Sequence, residues 1–246
     1  MLVLLPPSEG KTAPRHGRAL DVEEVSFPGL TDTRRSVLEA LVAASEAPDA
    51  LTLLGVPPTL GDEVARNRLL VTTHTAPAAA VYSGVLYAAL GLATMDTAAR
   101  RRANRWLVVT SALFGAVRPT DRIPAYRLSM KVNLPPLGPL AAVWRAPLAA
   151  ALDPLTERGL VVDCRSSTYA AAWVPRPAAA RRWVAVQVPG ATHMAKHTRG
   201  LVARHLCEAG VDARTPQRLA DVLADRFEVE LAPPGRTGRP WQLFVS

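Results

Sequence analysis

The stretch LVLLPPSEGKT (2–12) sets the reading of the chain. Leu2–Leu5 is an unbroken apolar run, which reads as a strand buried on both faces, as in a parallel sheet. Pro6-Pro7 closes it, because proline cannot donate to a ladder. Gly10-Lys11-Thr12 matches the tail of a phosphate-binding P-loop, but the position five before Gly10 is Leu5, and the loop holds no further glycine. A Walker-type nucleotide site is therefore excluded. What remains is a loop at the carboxyl end of a strand, presenting Ser8, Glu9 and Lys11 where α/β proteins place their sites.

Strands and helices alternate onward from this point. Helical periodicity predicts helices from Thr31 or Asp32 to about Ser45, over Leu60–Leu70, and from Pro77 to Gly91. A short helix rich in arginine follows Asp96 or Thr97, then a strand over Trp106–Thr110. Prolines mark 118–139 as irregular, and Leu140–Leu152 reads as a helix that Pro147 shortens or kinks. Further strands are expected at Leu160–Cys164, Trp183–Val188, Phe227–Leu231 and Trp241–Val245. Helices are expected at Thr192–Gly210 and, with Thr215 as cap and Pro216 in the first turn, to about Asp225. The alternation, without repeat or long linker, predicts one mixed α/β domain over 1–246.

Composition narrows the classes. No apolar run approaches the roughly 20 residues that span a bilayer, and the five apolar residues at the amino end lack the basic leader of a signal peptide. Two cysteines, Cys164 and Cys207, form neither a disulfide framework nor a CxxC pair and read as small buried hydrophobes. A cytoplasmic monomer without membrane association is expected. The net charge of +8 favours a polyanion or a phosphorylated ligand, although an arginine-rich composition raises charge in proteins that never meet DNA.

Of 29 basic residues only Lys11, Lys131 and Lys196 are lysine. A position held as lysine against such a bias needs a compact ammonium rather than a planar guanidinium. Each lies in an unusual string, and one concave cationic surface is expected to gather all three with Arg118 and Arg199. The alternative is scattered surface lysines.

In SALFGAVRPTDRIPAYRLSMK (111–131), Arg118, Arg122, Arg127 and Lys131 surround Tyr126, a mix suited to phosphate contact and base stacking. The alternative is a proline-rich surface loop. In DCRSSTYAAAW (163–173), Asp163 ends a strand, and Ser166 and Ser167 start a helical turn whose free amides suit an anion. Plain capping, with Asp163 anchoring a basic residue, fits equally. In HMAKHTRG (193–200), Lys196, Arg199, Gly200 and Ala203 share one helix face, opposite a stripe of Met194, Thr198, Leu201, Val202, His205 and Leu206. The two small residues leave room for a partner to approach closely. His193 and His197 are one turn apart but lack the glutamate of a zinc hydrolase and a third ligand, so no metal and no cofactor are expected.

Taken in order, LVLLPPSEGKT, YSGVLYAAL (82–90), SALFGAVRPTDRIPAYRLSMK, VVDCRSSTYAAAW and HMAKHTRGLVARHL resemble the YaaA family of peroxide-stress proteins, in its actinobacterial branch. The resemblance covers essentially the whole chain. It implies a rounded α/β fold with a positively charged cleft, and double-stranded DNA binding through a helix-hairpin-helix-like element. It also implies a role in limiting iron-driven oxidative damage. By position, the Leu113–Pro119 turn would belong to the hairpin, and Lys11, Arg118, Arg127, Lys196 and Arg199 would line the cleft. The stretch between Val188 and Met194 is shorter than in members that place a second strand there.

Two functions follow. One is DNA or phosphate binding by Ser8, Lys11, Arg118, Arg122, Arg127, Lys131, Ser166, Ser167, Lys196 and Arg199. The other is an enzyme acting on a phosphorylated or nucleotide-like small molecule, with Lys11, Lys196, Asp163 and Tyr126 as its chemistry. A continuous basic track favours the first, and a closed pocket with one buried lysine favours the second.

Overall fold

A computed structural model of the chain describes residues 1–157, 159–190 and 192–246. Ala191, within the short stretch between Val188 and Met194, lies outside the described residues. One seven-stranded sheet organises the chain: β1 (Leu2–Leu5), β2 (Leu107–Ser111), β3 (Gly115–Val117), β4 (Val161–Asp163), β5 (Trp183–Gln187), β6 (Val229–Ala232) and β7 (Trp241–Val245). Their order across the sheet is β6-β7-β5-β4-β1-β2-β3. The five central strands are parallel, and the outer pairs β6-β7 and β2-β3 are antiparallel. Leu4 faces Val108 in one neighbour and Asp163 in the other, and Val3, Leu4 and Leu5 are fully buried. The apolar run at the amino end is thus the middle of the sheet.

The α-helices longer than a single turn are α1 (Thr31–Glu46), α2 (Gly61–Asn67), α3 (Val85–Leu90), α4 (Thr97–Trp106), α5 (Arg145–Thr156), α6 (Thr192–Ala209) and α7 (Pro216–Ala224) among the described residues. Asp96 caps α4 by accepting from the Ala99 amide, and Thr215 caps α7 by accepting from Arg218. No helix of the described residues is long and apolar enough to cross a membrane.

Several expectations are corrected by tertiary contacts. Neither Thr31 nor Asp32 caps α1: a 3-10 turn at Pro28–Leu30 runs straight into it, and Thr31 is buried inside the helix. The helix expected from Pro77 to Gly91 is broken into Ala78–Val81 and α3, with Gly84 between them at φ 91°. The break exists because Tyr82 and Ser83 bond to the loop after β1 instead of continuing the helix. In the 140–152 region the join falls at Trp144, not at Pro147, which sits in the first turn of α5 where its missing amide is not needed. Trp144 is fully buried, donates from Nε1 to the Ala112 carbonyl (2.8 Å), and covers Gly115 so closely that a Cβ there would lie 2.6 Å from its ring. The irregular 118–139 segment contains two short ladders, Ala76–Pro77 with Arg122–Ile123 and Asn133–Leu134 with Gly138–Pro139.

The face of α6 that carries Gly200 and Ala203 does admit a close partner, and that partner is α3. A Cβ on Gly200 would lie 2.2 Å from the Leu86 carbonyl oxygen. Val202 and Leu206 are buried on the other side, whereas Met194, expected in their stripe, is 56 % exposed.

Gly200→Ala tests this approach. Alanine gains about 1 kcal/mol of helix propensity, but the clash is with backbone, which cannot rotate away, so overpacking at roughly 1–3 kcal/mol should win. Urea denaturation should show a lower midpoint; an unchanged or higher one would refute the close packing of α6 on α3.

Candidate functional site

The chain runs from β1 to β2 on one side of the sheet and returns through β4 on the other, so the carboxyl ends of β1 and β4 flank a topological switch point. The loop after β1 is pinned there. Ser8 Oγ donates to the Gly10 carbonyl (2.5 Å) and accepts from the Ser83 amide (3.1 Å), and Ser83 Oγ donates to the same carbonyl (3.2 Å). Lys11 makes a single β-bridge with Tyr82.

The Lys11 ammonium turns back into the protein. Nζ donates to the Ser8 carbonyl (2.9 Å) and lies 4.1 Å from the centre of the Tyr126 ring. Removal from water pulls its pKa from 10.5 down to about 8, Arg127 adds to the fall, and Glu9 and Glu63 oppose it. The Tyr126 hydroxyl bonds Ser111 Oγ (2.8 Å) at the end of β2 and the Tyr82 hydroxyl (3.1 Å), and Ser111 Oγ also accepts from the Phe114 amide (3.0 Å). Burial keeps both phenols well above their ordinary range. They remain neutral, so the ring face of Tyr126, not a phenolate, balances the ammonium. Arg127 holds the outer side, paired with Glu9 and Glu63 at 3.4 Å each.

Two cavities adjoin at this edge. The first, about 630 Å³, is walled by Ser8–Gly10, by Gly84–Tyr87 of α3, by Ser166 and Tyr169, and by His193, Lys196 and Arg199 of α6. The second, about 950 Å³, lies across Ser166 and Arg199, which both share, and adds Arg165, Ser167, Trp183, Arg236 and Arg239. Asp163 is committed to structure: Arg165 donates to its two oxygens at 2.8 and 2.7 Å, Trp183 Nε1 adds a third bond (3.2 Å), and both charges are buried. Removing either partner of such a pair costs about 3–5 kcal/mol. Arg199 is different. One nitrogen reaches the Val186 carbonyl only at 3.5 Å, and its buried Nε has no partner. An unpaired buried donor in a cavity wall is poised for an anion.

Ser8, Ser166, Lys196 and Arg199 thus share the first cavity, and Asp163, Ser166, Ser167 and Arg199 the second. Lys11, Tyr126 and Arg127 belong to neither wall. Three expected residues lie elsewhere. Arg118 donates to the Arg105 and Leu107 carbonyls at the amino end of β2, and Arg122 donates to Thr75. Lys131 is exposed in the turn before Asn133 and is absent from both walls. Arg118 therefore lies apart from the surface expected for it, and of the three lysines Lys196 alone lines either cavity. Arg118 and Arg122 follow β3, which reverses direction, so they are carried away from the carboxyl edge. Leu113–Pro119 is a buried turn of the sheet, with Leu113 and Val117 fully inaccessible. α3 and α4 are joined over 91–96 through Gly91 in the left-handed region (φ 56°). Sequence reasoning missed Arg165, Tyr87, Tyr169, Arg236 and Arg239. The DCR string at a strand end was the one available signal, since a buried acid invites a nearby cation.

A sequence model of the family described as "Peroxide stress protein YaaA" matches residues 1–232. The chain belongs to that family. It is 48 % identical over 254 residues to a UPF0246 protein of Streptomyces coelicolor, covering 100 % of this chain and 98 % of the relative. It is 39 % identical over 230 residues to a UPF0246 protein of Corynebacterium glutamicum, covering 90 % of this chain and 91 % of that one. Both support the actinobacterial branch. The family match spans the β1 loop, the α3–α4 pair, the Asp163–Arg165 turn and α6, so every wall of the first cavity lies inside it.

The depressed Lys11 pKa has a measurable sign. Between about 8 and 10.5 the folded chain has released this proton and the unfolded chain still holds it, so stability rises with pH across that window. Relative to Lys11→Met, the native protein should gain stability from pH 8 to 10.5 in urea titrations. Parallel curves would show that the amine titrates normally.

Proposed function

We propose that this protein acts in the peroxide-stress response by binding double-stranded DNA along a positively charged cleft at the carboxyl edge of its sheet, limiting iron-driven oxidative damage. The observation that carries this reading is the adjoining pair of cavities. Through the shared Arg199 they link His193 and Lys196 on one side to the exposed Arg236 and Arg239 on the other. Such a track suits a run of phosphates better than a single small anion. The α3–α4 pair is the helix-hairpin-helix-like element of this proposal, because Arg100, Arg101 and Arg105 are exposed on α4. Arg204 of α6 steadies its hairpin by donating to the Gly91 carbonyl (3.1 Å).

One observation favours a second reading, an enzyme acting on a phosphorylated or nucleotide-like small molecule. The Lys11 amine is drawn against the Tyr126 ring and its pKa is lowered to about 8 by removal from water, which phosphate contact does not require.

Duplex affinity across a salt series tests the first reading, because each phosphate contact contributes about 0.9 to the slope of log K against log salt. Lys196→Ala should lower both affinity and slope, and Lys196→Arg should weaken binding only modestly. Both variants should be scored in parallel for rescue of a peroxide-sensitive deletion strain. If Lys196→Arg binds duplex normally yet rescues nothing, DNA binding is not the function and the enzyme reading takes its place.

A further inference from the structure

The first cavity is more than a phosphate track needs. Beside Lys196 and Arg199 its wall carries the polar Ser8, Glu9, Ser83, Ser166 and His193, and the stretch formed by Pro6, Pro7, Val85 and Tyr87 is apolar or aromatic. Tyr87 is fixed in place by stacking on Tyr82 (ring centres 5.2 Å apart) and by donating its hydroxyl to the Pro6 carbonyl (2.7 Å). At about 630 Å³ the cavity falls within the about 300–1,000 Å³ typical of pockets that bury one small ligand. A duplex cannot enter such a space, and its phosphates gain nothing from an apolar wall.

A second observation lies on the rim. Met194, in the first turn of α6, is 56 % exposed although its neighbours His193, Ala195 and Lys196 all line the cavity. A large apolar side chain held in water beside cations has no packing role. Proteins that unstack DNA place such side chains at base steps as wedges.

We infer that this cavity receives a single nucleotide extruded from the duplex, its base against Tyr87 and its phosphate at Lys196 and Arg199, with Met194 filling the vacated place in the stack. The inference rests on the DNA-binding reading. The unpartnered Nε of Arg199 supplies the donor the displaced phosphate would meet, and the apolar walls replace the stacking lost on extrusion.

The test uses a short duplex carrying one 2-aminopurine, which brightens when unstacked, with affinity followed separately by anisotropy of an end label. Saturating protein should raise the fluorescence several-fold. A mismatch opposite the probe lowers the cost of extrusion and should tighten binding by about tenfold. Met194→Ala, on an exposed side chain, should leave the salt slope unchanged and abolish most of the fluorescence rise. Duplex binding with unchanged fluorescence and no mismatch preference would overturn the inference and leave the DNA-binding reading intact. Failure to bind duplex at low salt would overturn both.

Discussion

β1 is hydrogen-bonded along both edges and buried on both faces, so the chain can leave it only at the carboxyl end, between two strands whose connections run to opposite sides. The loop of Ser8–Lys11 opens there and is held by the amide and hydroxyl of Ser83, by the bridge of Lys11 to Tyr82, and by the Tyr126 ring face against the Lys11 ammonium. Asp163 ends β4 alongside it and is neutralised by Arg165, which turns the following residues toward Ser166. The Ser8–Gly10 and Ser166 walls of the first cavity are therefore referred to the register of β1 against β4. A slip of one residue would exchange faces along a strand that has no polar face to offer.

The arginines divide into two kinds by what their nitrogens meet. Arg34 is 1 % exposed and donates to the carbonyls of Val25, Ser26, Phe27, Phe114 and Ala116, cross-linking the start of α1 to the β3 hairpin. Arg102 does the same between α4 and the end of α6, as does Arg118 at the amino end of β2. Such side chains act as multi-headed donors to backbone that would otherwise be unsatisfied. Their charge is real but committed, which is why net charge overstates the surface available to a polyanion. Arg199, with a buried nitrogen unpaired, and the exposed Arg236 and Arg239 remain available.

α6 combines these roles along one helix. Its middle is pressed on α3 through Gly200, and the same contact sets Lys196, one turn earlier, and the adjacent Arg199 over the cavity. Packing precision and ligand geometry thus share a single close approach, in the way that well-held sites depend on the rigidity of their supporting elements.

The buried strand at 2–5 and the helices at 31–46, 97–106, 192–209 and 216–224 were legible in the sequence, because each rests on local signals: an apolar run, a 3.6-residue period or a cap. The break at Tyr82–Gly84, the join at Trp144, and the dispersal of Arg118, Arg122 and Lys131 were decided only by tertiary structure. Strand order and the reversal of β3 determine which loops share an edge, and neither leaves a periodic trace in the chain. Burial did the same for the lysines. Lys11 and Lys131 carry the same side chain, yet one lies against Tyr126 with its pKa lowered and the other lies in solvent, because the distance of an ammonium from water is a property of the fold rather than of the residue.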